Sequence, residues 1–177
     1  MENLIIRSPR MTDAEDINEM RRQTGVRETT LGLATDTLAR TQGVLSNLTA
    51  DDHILVAELD IDGRKKVVGM AGLQIHKNPR MRHSATLGMS VNANYQGMGI
   101  GKALMKEILD VADNYLMLIR VELGVLESNT KARKLYESFG FVYEGTKKYA
   151  IIQSGRYAHE LMMARYRIPE QFREHRE

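Results

Sequence analysis

The segment VNANYQGMGIGKALM (residues 91–105) places three glycines between a predicted strand and a predicted helix. Glycine lacks a Cβ atom and tolerates positive φ, so a loop through Gly97, Gly99 and Gly101 can turn several peptide N–H groups toward one anion. The helix predicted over residues 100–115 would direct its first unpaired N–H groups and the positive end of its dipole to the same point. The segment therefore predicts an anion site that suits a phosphate group.

Spacing excludes two familiar phosphate-binding loops. A P-loop continues from Gly-Lys into serine or threonine, whereas alanine follows Gly101-Lys102. A dinucleotide fingerprint, Gly-x-Gly-x-x-Gly, lacks its last glycine whether the count starts at Gly97 or at Gly99. The pattern that remains is Gln96-x-x-Gly99-x-Gly101, for which a tight strand-to-helix turn without a ligand is the structural alternative.

A second pattern lies downstream in VLESNTKARKLYESFGF (residues 125–141). It consists of Asn129, Ala132, Leu135, Tyr136, Gly140 and Phe141. With both patterns, in this order, the chain resembles the GCN5-related N-acetyltransferase (GNAT) family, whose glycine loop wraps the pyrophosphate of acetyl-CoA. The resemblance is most specific over residues 84–141. The C-terminal segment resembles the branches that acetylate ribosomal proteins, polyamines and L-amino acids.

The resemblance implies an α/β fold with a mixed, mostly antiparallel sheet of six to seven strands. Helices would cover both faces, and two parallel strands, over residues 82–91 and 119–126, would splay apart around the pantetheine arm. Periodicity and turn signals predict the elements. The other strands are predicted at 4–7, 53–59, 65–75, 141–152 and 156–166, and the helices at 13–23, 36–48, 100–115 and 130–139.

Local signals add detail to these elements. Thr12 and Glu15 fit a capping box at the first helix, and Asp36 fits an N-cap at the second. Asp62-Gly63 and Ser154-Gly155 predict two tight hairpin turns.

Composition excludes several other classes of protein. Lys and Arg number 25 against 23 Asp and Glu, and the net charge of +2 gives no field that favours nucleic acid or a membrane surface. The chain has no cysteine, which excludes disulfides, thiolate metal sites and a cysteine nucleophile. No apolar run reaches the roughly 18 residues of a spanning helix. We expect a cytoplasmic protein without a metal, with one domain over residues 1–168 and a tail over residues 169–177.

Several residues are candidates for binding acetyl-CoA. Amides of the glycine loop would bond the pyrophosphate, and the matching asparagine of the family bonds the cofactor arm. The candidates are Met89, Val91, Gln96, Gly97, Met98, Gly99, Ile100, Gly101, Lys102 and Asn129. Three of them have plain structural alternatives: Gln96 as an exposed amide, Lys102 as a solvated charge and Asn129 as a helix N-cap.

Two residues are candidates for catalysis. The resemblance implies that Tyr136 protonates the departing thiolate, although its place on an apolar helix stripe also fits a core aromatic residue. Glu122 is the candidate general base, with a salt-bridged structural carboxylate as the alternative. Strand N–H groups from Met89 to Val91 would polarise the thioester carbonyl.

The expected reaction is acetyl transfer from acetyl-CoA to the primary amine of a small molecule, such as an amino acid or a polyamine. Glu28 is a candidate for attracting a cationic amine, and Arg82, Lys148 and Arg156 are candidates for binding a carboxylate. A protein N-terminus or lysine is the alternative acceptor. A non-catalytic acyl-CoA sensor is the alternative function. The resemblance also implies a homodimer, for which the run Leu161-Met162-Met163 is either an interface or plain core.

Overall fold

A seven-stranded sheet forms the centre of the structure, a computed structural model that describes residues 3–169. The strand order is β1-β2-β3-β4-β5-β7-β6, and every pair is antiparallel except β4 with β5. The strands are β1 (Leu4–Arg7), β2 (Asp52–Ile61), β3 (Arg64–Ile75), β4 (Ser84–Val91), β5 (Arg120–Leu126), β6 (Val142–Gln153) and β7 (Arg156–Tyr166). The predicted mixed sheet with one parallel pair is confirmed. Residues 170–177 of the predicted tail lie outside the described residues.

Helices cover both faces of this sheet, as predicted. They are α1 (Ala14–Arg22), α2 (Thr24–Arg27), α3 (Leu38–Ser46), α4 (Ile100–Asp110) and α5 (Thr130–Ser138). On one face, α4 buries Ile100, Leu104 and Ile108 against Leu73 and Leu123 of the sheet. The spacing of three and four residues along α4 places its apolar side chains on this one face.

The opposite face carries a smaller core beneath α1 and α3. Ile17 of α1 and Leu45 of α3 pack there with Val56 of β2 and Val67 of β3. On the same face, no helix of this smaller core covers β4 and β5. The uncovered part of the sheet leaves room for a cleft.

Both predicted hairpin turns are present. Asp62 and Gly63 have φ of 53° and 83°, and Ser154 and Gly155 have φ of 48° and 77°. Two successive residues with positive φ make the two-residue turn whose twist matches that of paired strands.

The predicted helix caps are wrong. At α1, the Asp13 carboxylate accepts from the Arg10 N–H at 2.6 Å in place of the Thr12–Glu15 box. At α3, the hydroxyl of Thr37, and not Asp36, accepts from the Arg40 N–H.

Two helical segments also differ from the prediction. The short helix α2 was not predicted, because a single turn gives no periodic signal. The α-helical part of the predicted helix 100–115 ends at Asp110, and a π-helical turn follows over Val111–Tyr115.

The cause of the cap at α1 is an ion-pair cluster that joins the helix start to the sheet. The Arg7 guanidinium donates to both oxygens of Asp13 at 2.8 Å and to Glu58 at 2.6 Å. Burial raises the pKa of Asp13, but the bonds from Arg7 and Arg10 outweigh this effect, so the net shift is downward.

We predict that Asp13→Asn lowers the free energy of unfolding at pH 7 by about 3 kcal/mol, because the part-buried Arg7 loses its two charged bonds to Asp13 and keeps only Glu58 as a charge partner. A carboxyl with a lowered pKa stabilises the folded state above its ordinary value of 3.8. The difference between wild type and variant should therefore shrink as the pH falls below that value. Urea denaturation across pH measures it, with the exposed Glu15→Gln as the control, and an equal loss in both variants would contradict the prediction.

Candidate active site

A cleft of about 830 Å³ lies where β4 and β5 separate. These strands are paired only at Ser84–Arg120, Ala85–Val121 and Thr86–Glu122. Beyond Thr86 and Glu122 each strand keeps one partner, β3 for β4 and β7 for β5. The lining includes residues 87–91 of β4, residues 124–126 of β5, the glycine loop, Tyr136 of α5 and Glu160 of β7.

Peptide groups of both strands face this gap. Ser84 and Asn92 bond β3 through their backbone, and alternate residues of a strand direct their peptide groups to the same side. The N–H and C=O groups of Met89 and Val91 therefore point away from β3, into the gap. By the same alternation, the backbone bond from Glu127 to β7 leaves both peptide groups of Gly124 and the N–H of Leu126 facing the gap, while the Leu126 carbonyl accepts from the Asn129 N–H. An extended chain inserted here has hydrogen-bonding groups on both sides.

The glycine loop closes one end of the cleft. Gly97 and Gly99 have φ of 83° and 84°, in the left-handed region that favours glycine. Gly99 is the N-cap of α4, so the first unpaired N–H groups of that helix follow it directly. A Cβ on Gly101 would lie 3.3 Å from Leu135 and 3.5 Å from Met89. The loop thus has the geometry of an anion-binding turn and closely approaches both α5 and β4.

The polar side chains at this end of the cleft make different contacts. The Gln96 amide donates to the Val91 carbonyl at 3.1 Å, so it supports the turn. Lys102 lies in the cleft wall, and Lys131 reaches the Gln96 oxygen at 3.4 Å. Two cations at the phosphate end of the cleft favour an anionic ligand.

Two of the loop candidates lie off the cleft lining. The side chain of Ile100 is buried in the main core, and that of Met98 is half exposed. Ile100 can therefore reach a ligand only through its backbone, whereas the Met98 side chain faces solvent away from the cleft lining.

Asn129 serves as the N-cap of α5. Its side-chain oxygen accepts from the Ala132 N–H at 3.1 Å, and the residue also lines the cleft. The capping bond uses the oxygen and leaves the two amide N–H donors free. The structural and the binding interpretations are therefore compatible.

Tyr136 lies at the cleft with its ring in the core. The residue is 7% exposed, and its ring packs at 5.9 Å between centroids against Phe141. Burial raises the pKa of the phenol to about 12. At neutral pH the phenol therefore stays protonated and can act only as a proton donor.

The structure does not bring Glu122 into the cleft. The strand alternation correctly places it on the face of Gly124, but it occupies the last paired position before the gap opens. Arg120 Nε donates to Glu122 Oε2 at 2.9 Å. His76 Nε2 lies 3.2 Å from Oε1, within ion-pair distance but without hydrogen-bond geometry. This position corresponds to the structural alternative.

The predicted acceptor-site charges also lie outside the cleft lining. Arg82 pairs with Asp51 at 2.7 Å, and Glu28, Lys148 and Arg156 are exposed. The loop that carries Glu28 is tied to β6, because Gln153 donates to the Glu28 carbonyl.

Besides Lys131, two charged residues that line the cleft were missed from sequence. They are Arg21, at the end of α1, and Glu160, on β7. Arg21 has no ion-pair or hydrogen-bond partner for its guanidinium within residues 3–169. A sequence signal exists only for Glu160: a glycine inside the apolar strand VELGVL, which often marks a close approach.

Comparisons with known proteins agree with this geometry. A sequence model of the acetyltransferase (GNAT) family matches residues 19–141. The chain belongs to the GNAT family. L-amino acid N-acetyltransferase AaaT of Escherichia coli (strain K12) is 37% identical over 111 residues, which cover 63% of this chain and 66% of the relative. The chain spans two thirds or less of the curated relatives' lengths.

Solved structures show the same fold. Ribosomal-protein-alanine N-acetyltransferase from Brucella melitensis has a TM-score of 0.79 and 27% identity, over 92% of this chain and 99% of that one. Spermidine N-acetyltransferase from Vibrio cholerae, solved in complex with CoA and spermine, has a TM-score of 0.81 and 22% identity, over 94% and 96% of the two chains.

GNAT enzymes use acetyl-CoA as co-substrate, and the site has the donors this molecule needs. Unpaired helix N–H groups and lysines lie at the phosphate end, and strand peptide groups line the gap. Within residues 3–169 no cluster of His, Asp and Glu could hold a metal ion. No helix in that range is long and apolar enough to span a membrane.

We predict that Asn129→Ser and Asn129→Ala separate the two roles of this residue in the GNAT site. Serine keeps a capping oxygen but loses the amide donors, so we expect about a tenfold rise in the Kd for acetyl-CoA without a change in Tm. Alanine should give the same rise and lose about 1 kcal/mol of stability. Calorimetric titration and thermal denaturation measure the two effects. Unchanged affinity in both variants would leave Asn129 as a cap alone.

Proposed function

We propose that the protein transfers the acetyl group of acetyl-CoA to the primary amine of a small molecule. Direct attack in a ternary complex is the expected route. The observation that carries the proposal is a gap between β4 and β5 with peptide groups on both edges, a glycine loop at one end and a buried phenol beside it.

The chain's own groups account for binding of the co-substrate. The N–H groups from Gly99 to Lys102 would bond the pyrophosphate. The Met89 carbonyl and the peptide groups of Gly124, with the Asn129 amide, would bond the pantetheine arm. Acetyl-CoA supplies the activated acetyl group when bound there.

The N–H groups of β4 that face the gap give the site its electrophilic assistance. Those of Met89 and Val91 would donate to the thioester carbonyl oxygen, where negative charge develops during attack. This role needs no particular side chain, so it depends on the separation of the two strands rather than on sequence at these positions.

Proton balance assigns the role of Tyr136. A protonated amine that becomes an amide loses two protons, while the thiolate that leaves gains one. Tyr136 would donate its proton to the sulfur and regain one from the solvent, so one proton is released overall. An ordinary thiol has a pKa near 8.5, so the departing thiolate is a weaker base than the phenolate of Tyr136. Proton transfer from the phenol therefore assists the reaction only when the sulfur lies close to the phenol.

Arg21 favours an amino acid as the acceptor. Its guanidinium lines the cleft without a partner in the described chain, and guanidinium groups bind carboxylates in a bidentate manner. The similarity to an L-amino acid N-acetyltransferase supports the same class. A polyamine is the second candidate, since a relative in Vibrio cholerae is a spermidine N(1)-acetyltransferase, 33% identical over 96 residues.

We further propose a cytoplasmic homodimer with one domain over residues 1–168. Strand β6 is an edge of the sheet, and its exposed apolar side chains include Val142, Tyr143 and Ile152. Edges of this kind pair with a second copy. Leu161 and Met163 are core residues and do not serve that interface. Sedimentation equilibrium measures the assembly.

Tyr136→Phe should lower kcat about 100-fold, because it removes the proton donor and keeps the ring. The Kd for acetyl-CoA should stay within twofold of wild type. Thiol release from acetyl-CoA, measured against amino acids, polyamines and short peptides, tests both statements. Tyr143→Phe, on exposed β6, is the matched control. Unchanged kcat in a folded Tyr136→Phe preparation would contradict the assignment of Tyr136 as proton donor, whereas acetyl-CoA binding by the wild type without thiol release for any acceptor would favour a sensor.

Arg21→Met should raise KM for amino acids about 10- to 50-fold and leave KM for polyamines unchanged or lower. The neighbouring Arg22, which donates to the Ala34 carbonyl, gives the control Arg22→Met on the same helix. Equal effects of Arg21→Met on both classes of acceptor would contradict carboxylate recognition.

A further inference from the structure

The floor of the cleft is bare because three strands carry glycines side by side. Gly72 of β3 pairs with Gly88 of β4. Continuing the parallel register beyond Thr86 and Glu122 sets Gly124 of β5 next in the row. Residues that pair in register share a face, so these positions send no side chain into the space above the sheet.

Only one charged side chain of the neighbouring strand reaches over this row within the described residues. Glu160 of β7 pairs with Leu126 and lies diagonal to Gly124. A Cβ built on Gly124 would lie 2.6 Å from Cδ and 3.1 Å from Cγ of Glu160. The carboxylate therefore occupies the volume that a side chain at position 124 would fill, at the point where the gap opens.

Only one of the two carboxylate oxygens of Glu160 has a partner within the described residues. Lys147, its cross-strand neighbour on β6, lies 3.3 Å from Oε2. Oε1, the oxygen nearest Gly124, has no hydrogen bond or ion pair within residues 3–169. The side chain is 20% exposed, and that of Lys147 is 58% exposed. A surface pair of this kind contributes little to stability, so it does not explain why the carboxylate lies over Gly124.

Glu160 and Tyr136 lie on opposite faces of the sheet. Tyr136 belongs to the core with Val121, Leu123 and Val125, whereas Gly124 points to the other face. The gap between β4 and β5 joins the two faces. A thioester held in the gap would thus have the phenol on one side and the carboxylate on the other, which is the arrangement for a leaving group and an incoming nucleophile.

We propose that Glu160 binds the amino group of the acceptor and orients it toward the gap. The site would then select amines that are protonated in solution, because their ammonium group can form an ion pair with the free Oε1 of Glu160. This inference rests on the proposed function and adds the residue that receives the amine. The lysines lie at the opposite, phosphate end of the cleft. They would attract the anionic acetyl-CoA, while Glu160 would attract the cationic amine.

The test compares four variants in steady-state kinetics with the amino acid or polyamine that the wild type acetylates best. Glu160→Gln should raise KM for that amine about 10- to 100-fold and leave the Kd for acetyl-CoA unchanged. Lys147→Met removes the other half of the ion pair and should leave KM unchanged or lower. Gly124→Ala should raise KM by displacing the carboxylate, whereas Gly145→Ala, which has open space around its Cβ position, should not.

The outcomes separate this inference from the proposed function. Equal effects of Glu160→Gln and Lys147→Met would mean that the pair is only structural and would overturn the inference. An unchanged KM in Glu160→Gln would also overturn it, with the proposed function intact because the wild type is active. A wild type that acetylates no amine would overturn both. Tm values of all variants separate these results from loss of folding.

Discussion

The short parallel pairing between β4 and β5 is the constraint on which the site depends. Hydrogen bonding stops after Thr86 and Glu122, although both strands continue for several residues. Each strand stays extended because its other neighbour holds it, β3 on one side and β7 on the other. The peptide groups released by the separation would be costly to leave unpaired in a dry interior. A ligand with amides of its own would satisfy them, so the gap suits an extended, peptide-like arm.

The remaining elements place chemistry around this gap. Helix α4 starts at the end of the gap through a left-handed Gly99, and α5 brings Tyr136 to one face. The cluster of Arg7, Asp13 and Glu58 fixes the start of α1, whose far end carries Arg21 into the cleft. On the acceptor side, the glycine row gives an open floor, and β7 supplies the carboxylate. In the proposed mechanism, binding of phosphate, loss of thiol and entry of amine would thus be served by different elements of the structure.

Local sequence predicts the parts of this site that depend on the chain's own geometry. The glycine loop, the hairpin turns and the helix of Tyr136 follow from φ preferences and periodicity, and the strand alternation gives the correct face for Glu122. Alternation does not say where along β5 the pairing with β4 ends. Glu122 therefore lies on the predicted face, but within the paired part of β5 rather than beside the gap. The position of Glu160 depends on the register of β7 with β5, and that of Arg21 depends on how α1 packs against β3. Neither leaves a periodic signal in sequence.

Hydrogen–deuterium exchange of the protein with and without acetyl-CoA tests the central claim most directly. The account predicts slower exchange in the segments 88–91 of β4, 97–102 of the loop and helix start, and 124–126 of β5, because these segments contain the N–H groups that face the ligand. Strands β1 and β2 should be unchanged. Protection confined to other segments, or absent at saturating acetyl-CoA, would contradict a ligand bound between the separated strands.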